Sequence, residues 1–296
     1  MRAVGPTGVG VGLRRPHVQA LLATDRRVDW LELTPENYLG RGGGMSRHLD
    51  ACLERWPVLV HGVTASIGGP DPYDDGWLDA LRRFLARVRA PFYSDHLCWT
   101  SAGGFQSHQL LPLPFHREAI DHAVGRIRAL RDALRVPIAV ENISFYAVMP
   151  GSDLGFAAFE AAVVEEADCG LLLDLNNLYV NARNFGLDPM EVLDRYPLDR
   201  VWQVHLAGHE LQHGRYIDTH GAPVAPEVQA LYVALVERIG PVPALLERDT
   251  NLPPLAEVLD EADALRRLIE PARDVRSVLG PREPGSWTPD DRMSGP

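Results

Sequence analysis

Lysine does not occur among the 296 residues, so all 29 basic side chains are arginines. A GxxxxGKS/T phosphate loop is thereby excluded, and no GxGxxG follows the first apolar run, which removes the usual dinucleotide signature. Cysteine is scarce. Cys52, Cys98 and Cys169 form an odd set at irregular spacing, so neither a disulfide framework nor a CxxC zinc site is expected. No apolar run approaches the roughly 20 residues of a membrane span. Gly5 and Pro6 interrupt the N-terminus where a secretory signal would need an apolar core. A soluble, cytoplasmic protein without a membrane partner is expected. Basic charge is outnumbered by 40 acidic residues, giving a net charge of −11. That argues against nucleic acid as a partner, because such binding rests on neutralising phosphates. A GxSxG nucleophile elbow and an HExxH zinc helix are also missing.

What is present is alternation. Strand-like apolar runs occur at 8–13, 28–34, 57–63, 91–96, 137–143, 170–176, 201–207 and 242–249. Helical periodicity occupies 17–24, 46–55, 77–89, 117–134, 156–166, 189–195, 226–239 and 255–269. Continuous runs such as Gly170-Leu171-Leu172-Leu173 suit parallel strands buried on both faces. Eight repeats predict a single α/β domain, a (β/α)8 TIM barrel over 1–278, in preference to an open doubly wound sheet. Residues 279–296, rich in Pro, Gly and Ser, predict a disordered tail. The connections 62–75 and 208–225 are long for loops that follow barrel strands, and loops on that face usually bind something.

Polar residues interrupt the apolar strands near their C-terminal ends, where a barrel gathers its site. The third run ends in His61-Gly62, the fourth in Ser94-Asp95-His96 and the fifth in Val140-Glu141-Asn142. The sixth ends in Asp174-Leu175-Asn176-Asn177, the seventh in His205-Leu206-Ala207-Gly208-His209 and the eighth in Glu247-Arg248-Asp249. Buried charge must be paired or ligated. His61, His96, Glu141, Asp174, His205 and Glu247, with Asp218 and His220 in the last long loop, form an imidazole and carboxylate set suited to transition metals. They oversupply one ion, so two or three are expected, with a carboxylate such as Glu141 bridging. Asn142 and Asn177 either orient a carboxylate or ligate weakly, and Asn177 is the better ligand candidate. Arg248 holds a carboxylate of substrate or ligand, or else lies in a buried ion pair. Glu36 and Asn37 touch substrate or metal, cap the next helix or close the barrel floor. Cys98 is an alternative nucleophile, and His17, His48, His116 and His122 read as surface residues, with His108 set apart by its loop.

Together with Glu36-Asn37-Tyr38 and Asp218-Thr219-His220-Gly221, these motifs resemble the DUF692 family of multinuclear non-heme iron-dependent oxidative enzymes, the MbnB/TglH-like proteins. The resemblance spans roughly residues 8 to 268. It implies a xylose-isomerase-like barrel holding two or three Fe ions (Fe2+/Fe3+), with O2 as co-substrate. The implied reaction remodels cysteine residues of a ribosomally made precursor peptide, often delivered by a small partner protein. Carried onto this chain, His61, His96, Glu141, Asp174, His205 and Glu247 would hold the paired irons, and Asn177, Asp218 and His220 a third. Glu141, Asp174 and Arg248 are the candidate catalytic residues. The competing readings are a divalent-metal isomerase or endonuclease on the same barrel, and a noncatalytic binding barrel. A sugar isomerase would want a lysine near its metals, an endonuclease a basic face, and a noncatalytic barrel would have lost ligands.

Overall fold

The computed structural model describes residues 5–40 and 43–279. The expected tail lies outside the described residues except for Leu279, the last residue of the final helix. Twelve strands are described: β1 (Val9–Gly12), β2 (Leu31–Leu33), β3 (Val58–His61), β4 (Tyr93–His96), β5 (Trp99–Ala102), β6 (Phe105–Leu111), β7 (Ile138–Glu141), β8 (Gly170–Asp174), β9 (Val201–Leu206), β10 (His209–Gln212), β11 (Arg215–Asp218) and β12 (Ala244–Leu246). Eight of them close a parallel barrel in the order β1-β12-β9-β8-β7-β4-β3-β2. Each of the eight apolar runs contains one of these strands, so the expected TIM barrel is the observed one.

The helices are α1 (Val18–Ala23), α2 (Gly44–Leu53), α3 (Asp75–Val88), α4 (Arg117–Leu134), α5 (Phe156–Ala167), α6 (Leu175–Asn184), α7 (Pro189–Leu193), α8 (Pro226–Ile239) and α9 (Leu255–Leu279). Local chemistry sets their ends. Asp74 accepts the Trp77 backbone N–H (2.7 Å) to start α3, and Arg89 and Arg135 turn left-handed to close α3 and α4. Among the described residues no helix is long and apolar enough to cross a membrane.

Side chains of a strand alternate between faces, and the barrel interior uses that period twice. Trp30, Leu59, Phe92, Ala139, Trp202 and Leu245 form a small apolar cluster separate from the large core between barrel and helices. Two residues further along the same strands stand Glu32, His61, Ser94, Glu141 and Glu247, all buried. The floor is thus a hydrophobic plug and the layer above it is polar. The plug is tight. A Cβ on Gly10 would lie 2.3 Å from the Trp30 ring, and one on Gly170 would lie 2.1 Å from Trp202. Gly10→Ala and Gly170→Ala are each expected to lower unfolding free energy by about 1–3 kcal/mol through overpacking. Urea denaturation of the variants checks this, and wild-type midpoints would contradict the close approach.

Three elements depart from the sequence reading. The sixth run does not extend to Asn176: Asp174 accepts the Asn177 backbone N–H (2.7 Å) and starts α6 directly from β8. The connections 97–116 and 208–225 each contain a β-hairpin, β5–β6 and β10–β11. Their turns, Gly103-Gly104 and His213-Gly214, all have positive φ, as two-residue hairpin turns with the twist of the strands require. In β6 the residues Ser107 to Leu110 stand opposite Thr100 alone, a wide bulge in which His108 has φ +54°.

Candidate metal centre

The C-terminal ends of the barrel strands bring the predicted ligands together. Three groups of donors each converge within 4.8 Å: His61, His96 and Glu141; Glu141, Asp174, His205 and Glu247; and His220, Glu247 and Asp249. Glu141 belongs to the first two and Glu247 to the last two, so carboxylates link neighbouring groups. Glu141 Oε2 lies 2.9 Å from His61 Nε2 and 3.2 Å from His96 Nε2, while its Oε1 lies 3.2 Å from His205 Nδ1. Glu247 Oε2 lies 2.9 Å from His205 Nδ1 and 3.3 Å from His220 Nδ1. His220 Nε2 lies 2.7 Å from Asp218 Oδ1 and 3.6 Å from Asp174 Oδ2.

These donors fit metal ions. Glu141 Oε2, Asp174 Oδ2, Asn177 Oδ1, His205 Nδ1 and His220 Nε2 are buried without a hydrogen-bond partner, although several lie about 3 Å from one another. Close donors misaligned for mutual hydrogen bonds have lone pairs aimed at shared points. An ion with donors at about 2.1 Å and at right angles holds neighbouring donors about 3 Å apart. Sulfur is absent from the set, which leaves imidazole and carboxylate and points to Fe, Mn, Zn or Co.

Neighbouring groups aim the ligands. His61 Nδ1 lies 2.9 Å from Ser94 Oγ, which itself donates to the Val60 carbonyl, so the imidazole N–H goes to Ser94 and Nε2 faces Glu141. Asn142 bonds the Asp174 backbone at both N–H (2.8 Å) and carbonyl (2.9 Å), which fixes the end of β8. Asn177 donates to the Asn142 carbonyl and keeps its own Oδ1 free. Ser144 and Asn176 donate to the two oxygens of Asp218, at 3.0 and 2.8 Å.

Burial and charge pull against each other here. Desolvation disfavours the imidazolium of His96, yet Glu141 and Asp95 outweigh it and push its pKa up to about 9. His205 and His220 are raised well above the usual range against the same desolvation, chiefly by Glu32, Glu247 and Glu141 for His205 and by Asp218 and Glu247 for His220. Burial raises the Asp174 carboxyl pKa, against the lowering effect of His220. Glu247 is driven low despite burial, by His205 and His220. The buried carboxylates thus favour positive charge at this layer, as a bound cation would supply.

Arg248 is not brought into this cavity. Its Nη2 donates to Glu261 Oε2 (2.5 Å) on α9, and it lines a separate pocket with Gly221 and Val224. In the described geometry it forms a largely buried ion pair with Glu261. Arg248→Met is expected to leave the metal count unchanged while costing roughly 3 kcal/mol of stability by stranding Glu261. Metal analysis beside thermal melting checks both, and a lost ion would return Arg248 to the site. Cys98 is fully buried with its thiol pKa pushed up by burial, which disqualifies it as a thiolate nucleophile. Glu36 caps neither helix nor floor: its Oε1 accepts from Val63 N, Thr64 N and Thr64 Oγ1 and anchors the loop after β3. His17 is buried against the Pro253 carbonyl, contrary to the surface expectation.

Four participants escaped the sequence reading. Arg14 lies at the cavity wall, paired with Asp249 and 3.5 Å from Glu247 Oε1. Asp249 joins the third donor group. Glu32 and Gln203 lie beneath His205. The rule that a charge inside an apolar strand needs a partner applies to Glu32 as it does to Glu141. Nothing in sequence marks Arg14, whose partners stand more than 230 positions away.

The donors open into a cavity of about 720 Å³ walled by His108, Gln109 and Leu110 of the β6 bulge and by Asp218 and Thr219 opposite. In fold, a D-psicose 3-epimerase solved in the presence of D-fructose is similar, with a TM-score of 0.57 at 11% identity over 90% of this chain and 99% of that one. In sequence, the chain is 43% identical to a UPF0276 protein of Caulobacter vibrioides over 260 residues, 88% of this chain and 93% of that protein. A UPF0276 protein of Pseudomonas aeruginosa is 44% identical over 264 residues, 88% of this chain and 92% of that protein. Residues 8–270, which include every candidate ligand, match the family described as RiPP precursor modification enzyme MbnB/TglH/ChrH, and with the intact donor set at its centre the chain belongs to that family.

Proposed function

We propose that the chain is a multinuclear iron enzyme that uses dioxygen to oxidise cysteine residues of a ribosomally made precursor peptide. The observation that carries this reading is the sharing of Glu141 and Glu247 among three donor groups, which calls for adjacent ions, in a chain of a precursor-modifying family. His61, His96, Glu141, Asp174, His205 and Glu247 would hold a pair of irons, and Asn177, Asp218 and His220 a third. Bound iron would supply the redox chemistry with dioxygen that protein side chains lack.

The chain's own residues do the rest. Glu141 and Asp174, the candidate catalytic carboxylates, would hold the ions from the barrel floor side and leave the open cavity above for a cysteine side chain. Ser94 and Asn142 keep the ligands aimed. The β6 bulge and the β10–β11 hairpin wall the cavity and receive the peptide, and the strained His108 at its rim is a contact for it. A small partner protein that delivers the peptide belongs to this reading.

The test is metal analysis with Mössbauer spectroscopy on protein grown with iron and purified without oxygen. Two or more irons per chain with coupled signals are expected. Stoichiometric zinc or manganese that resists replacement by iron would sink the oxidative reading and favour isomerisation or hydrolysis.

A further inference from the structure

The polar layer of the barrel contains a carboxylate that none of the donor groups uses. Glu32 stands in the middle of β2, 6% exposed, directly above the Trp30 plug. In the barrel order β2 and β9 are separated by β1 and β12, so Glu32 meets β9 across the interior. There its Oε2 accepts from Gln203 Nε2 at 2.5 Å and lies 3.2 Å from His205 Nε2. Gln203 and His205 are fully buried and lie two residues apart on one face of β9. A carboxylate placed at that depth is strongly unfavourable unless its partners answer for it.

His205 turns its other nitrogen, Nδ1, toward Glu141 and Glu247. A neutral imidazole carries one proton, so which nitrogen binds an ion depends on where that proton is held. Gln203 Nε2, a donor, lies 3.1 Å from His205 Nε2. That amide alone would not fix the tautomer, since it can donate through Nε2 or, turned over, accept through Oε1, which has no other partner. The Glu32 carboxylate removes the choice, because it accepts from Gln203 Nε2 and can only accept at His205 Nε2.

We propose that Glu32 is a positioning residue that, with Gln203, holds the His205 proton on Nε2 and so presents the Nδ1 lone pair to the ion of the Glu141, Asp174, His205 and Glu247 group. The inference rests on that group binding a metal, but not on iron, dioxygen or a peptide.

The experiment is a stepwise Co2+ titration of the full-length, metal-free chain, read from the visible ligand-field bands, with Glu32→Ala and Glu32→Gln beside wild type. Glu32→Ala is expected to weaken one binding step about 100-fold, while the step assigned to His61, His96 and Glu141 persists. Glu32→Gln still accepts hydrogen bonds but lacks the charge, and should weaken the same step only about 10-fold. A folded Glu32→Ala protein with every step unchanged, or with all steps weakened equally, overturns the proposal. Where near-UV circular dichroism finds Glu32→Ala unfolded, Glu32→Gln decides: an unchanged titration overturns the proposal and a single weakened step supports it. Should wild type take up Co2+ but no iron, the oxidative reading fails while the role of Glu32 is still tested.

Discussion

Replacing Glu141 by alanine is expected to cost the chain two metal ions, not one. Its two carboxylate oxygens face different partners, Oε2 toward His61 and His96 and Oε1 toward His205. Truncation removes a shared donor and also takes the carboxylate away from three buried imidazoles, two of which, His96 and His205, it helps to hold protonated. Loss of an outer hydrogen-bonding partner alone costs a metal site about 10–100-fold in affinity, so loss of a direct, shared ligand should exceed about 100-fold at both positions. Inductively coupled plasma analysis after gel filtration would read at most one ion per chain, the one held by the third group, which lacks Glu141. Glu165→Ala, on the exposed side of α5, is the control and should keep the wild-type count. A Glu141→Ala protein that loses a single ion, with the rest bound at wild-type strength, would show that the carboxylate serves one ion alone.

Metal affinity should also fall steeply on acidification. In the metal-free fold His96 has its pKa raised to about 9, and His205 and His220 are raised as well, so each binds a proton that an ion must displace. Below about pH 9 the proton displaced from His96 weakens apparent binding roughly tenfold per pH unit, and protons on the raised His205 and His220 add to it. Between pH 8 and pH 6 a single proton gives about 100-fold, and two give about 10⁴-fold. Stability moves the other way in the metal-free chain. A raised imidazole pKa contributes stability that is complete below the unfolded value of about 6.5 and is lost as pH rises through about 9. The gap in melting temperature between loaded and metal-free protein therefore widens from pH 6.5 to pH 9. Calorimetric titration in buffers of different ionisation enthalpy counts the released protons, and pH-independent binding with none released would contradict the charge state described for His96.

The candidate ligands were legible because the physics that hides apolar side chains makes a charge at the end of a buried strand conspicuous. His61, His96, Glu141, Asp174, His205 and Glu247 all stand out in this way, and the structure assembles all six. Direction was harder to read. Glu247 and Arg248 are neighbours in sequence, but successive side chains of an extended segment leave on opposite faces, so one enters the cavity and the other reaches α9. Helix α6 stayed hidden because Asn176, Asn177, Asn181 and Asn184 have poor helix propensity; tertiary bonds such as Asn181 Nδ2 to the Ile143 carbonyl override it. The hairpins were missed for brevity, since two-residue turns inside long polar connections leave short strands with no repeated apolar pattern.

Trp30 and Trp202, admitted by Gly10 and Gly170, make the barrel a cul-de-sac. Among the described residues the donors are reached through the opening between the β6 bulge and the loop that carries Asp218 and Thr219. If ions occupy those donors, they would have to enter before anything that fills the cavity above them, and that occupant would then act as a stopper.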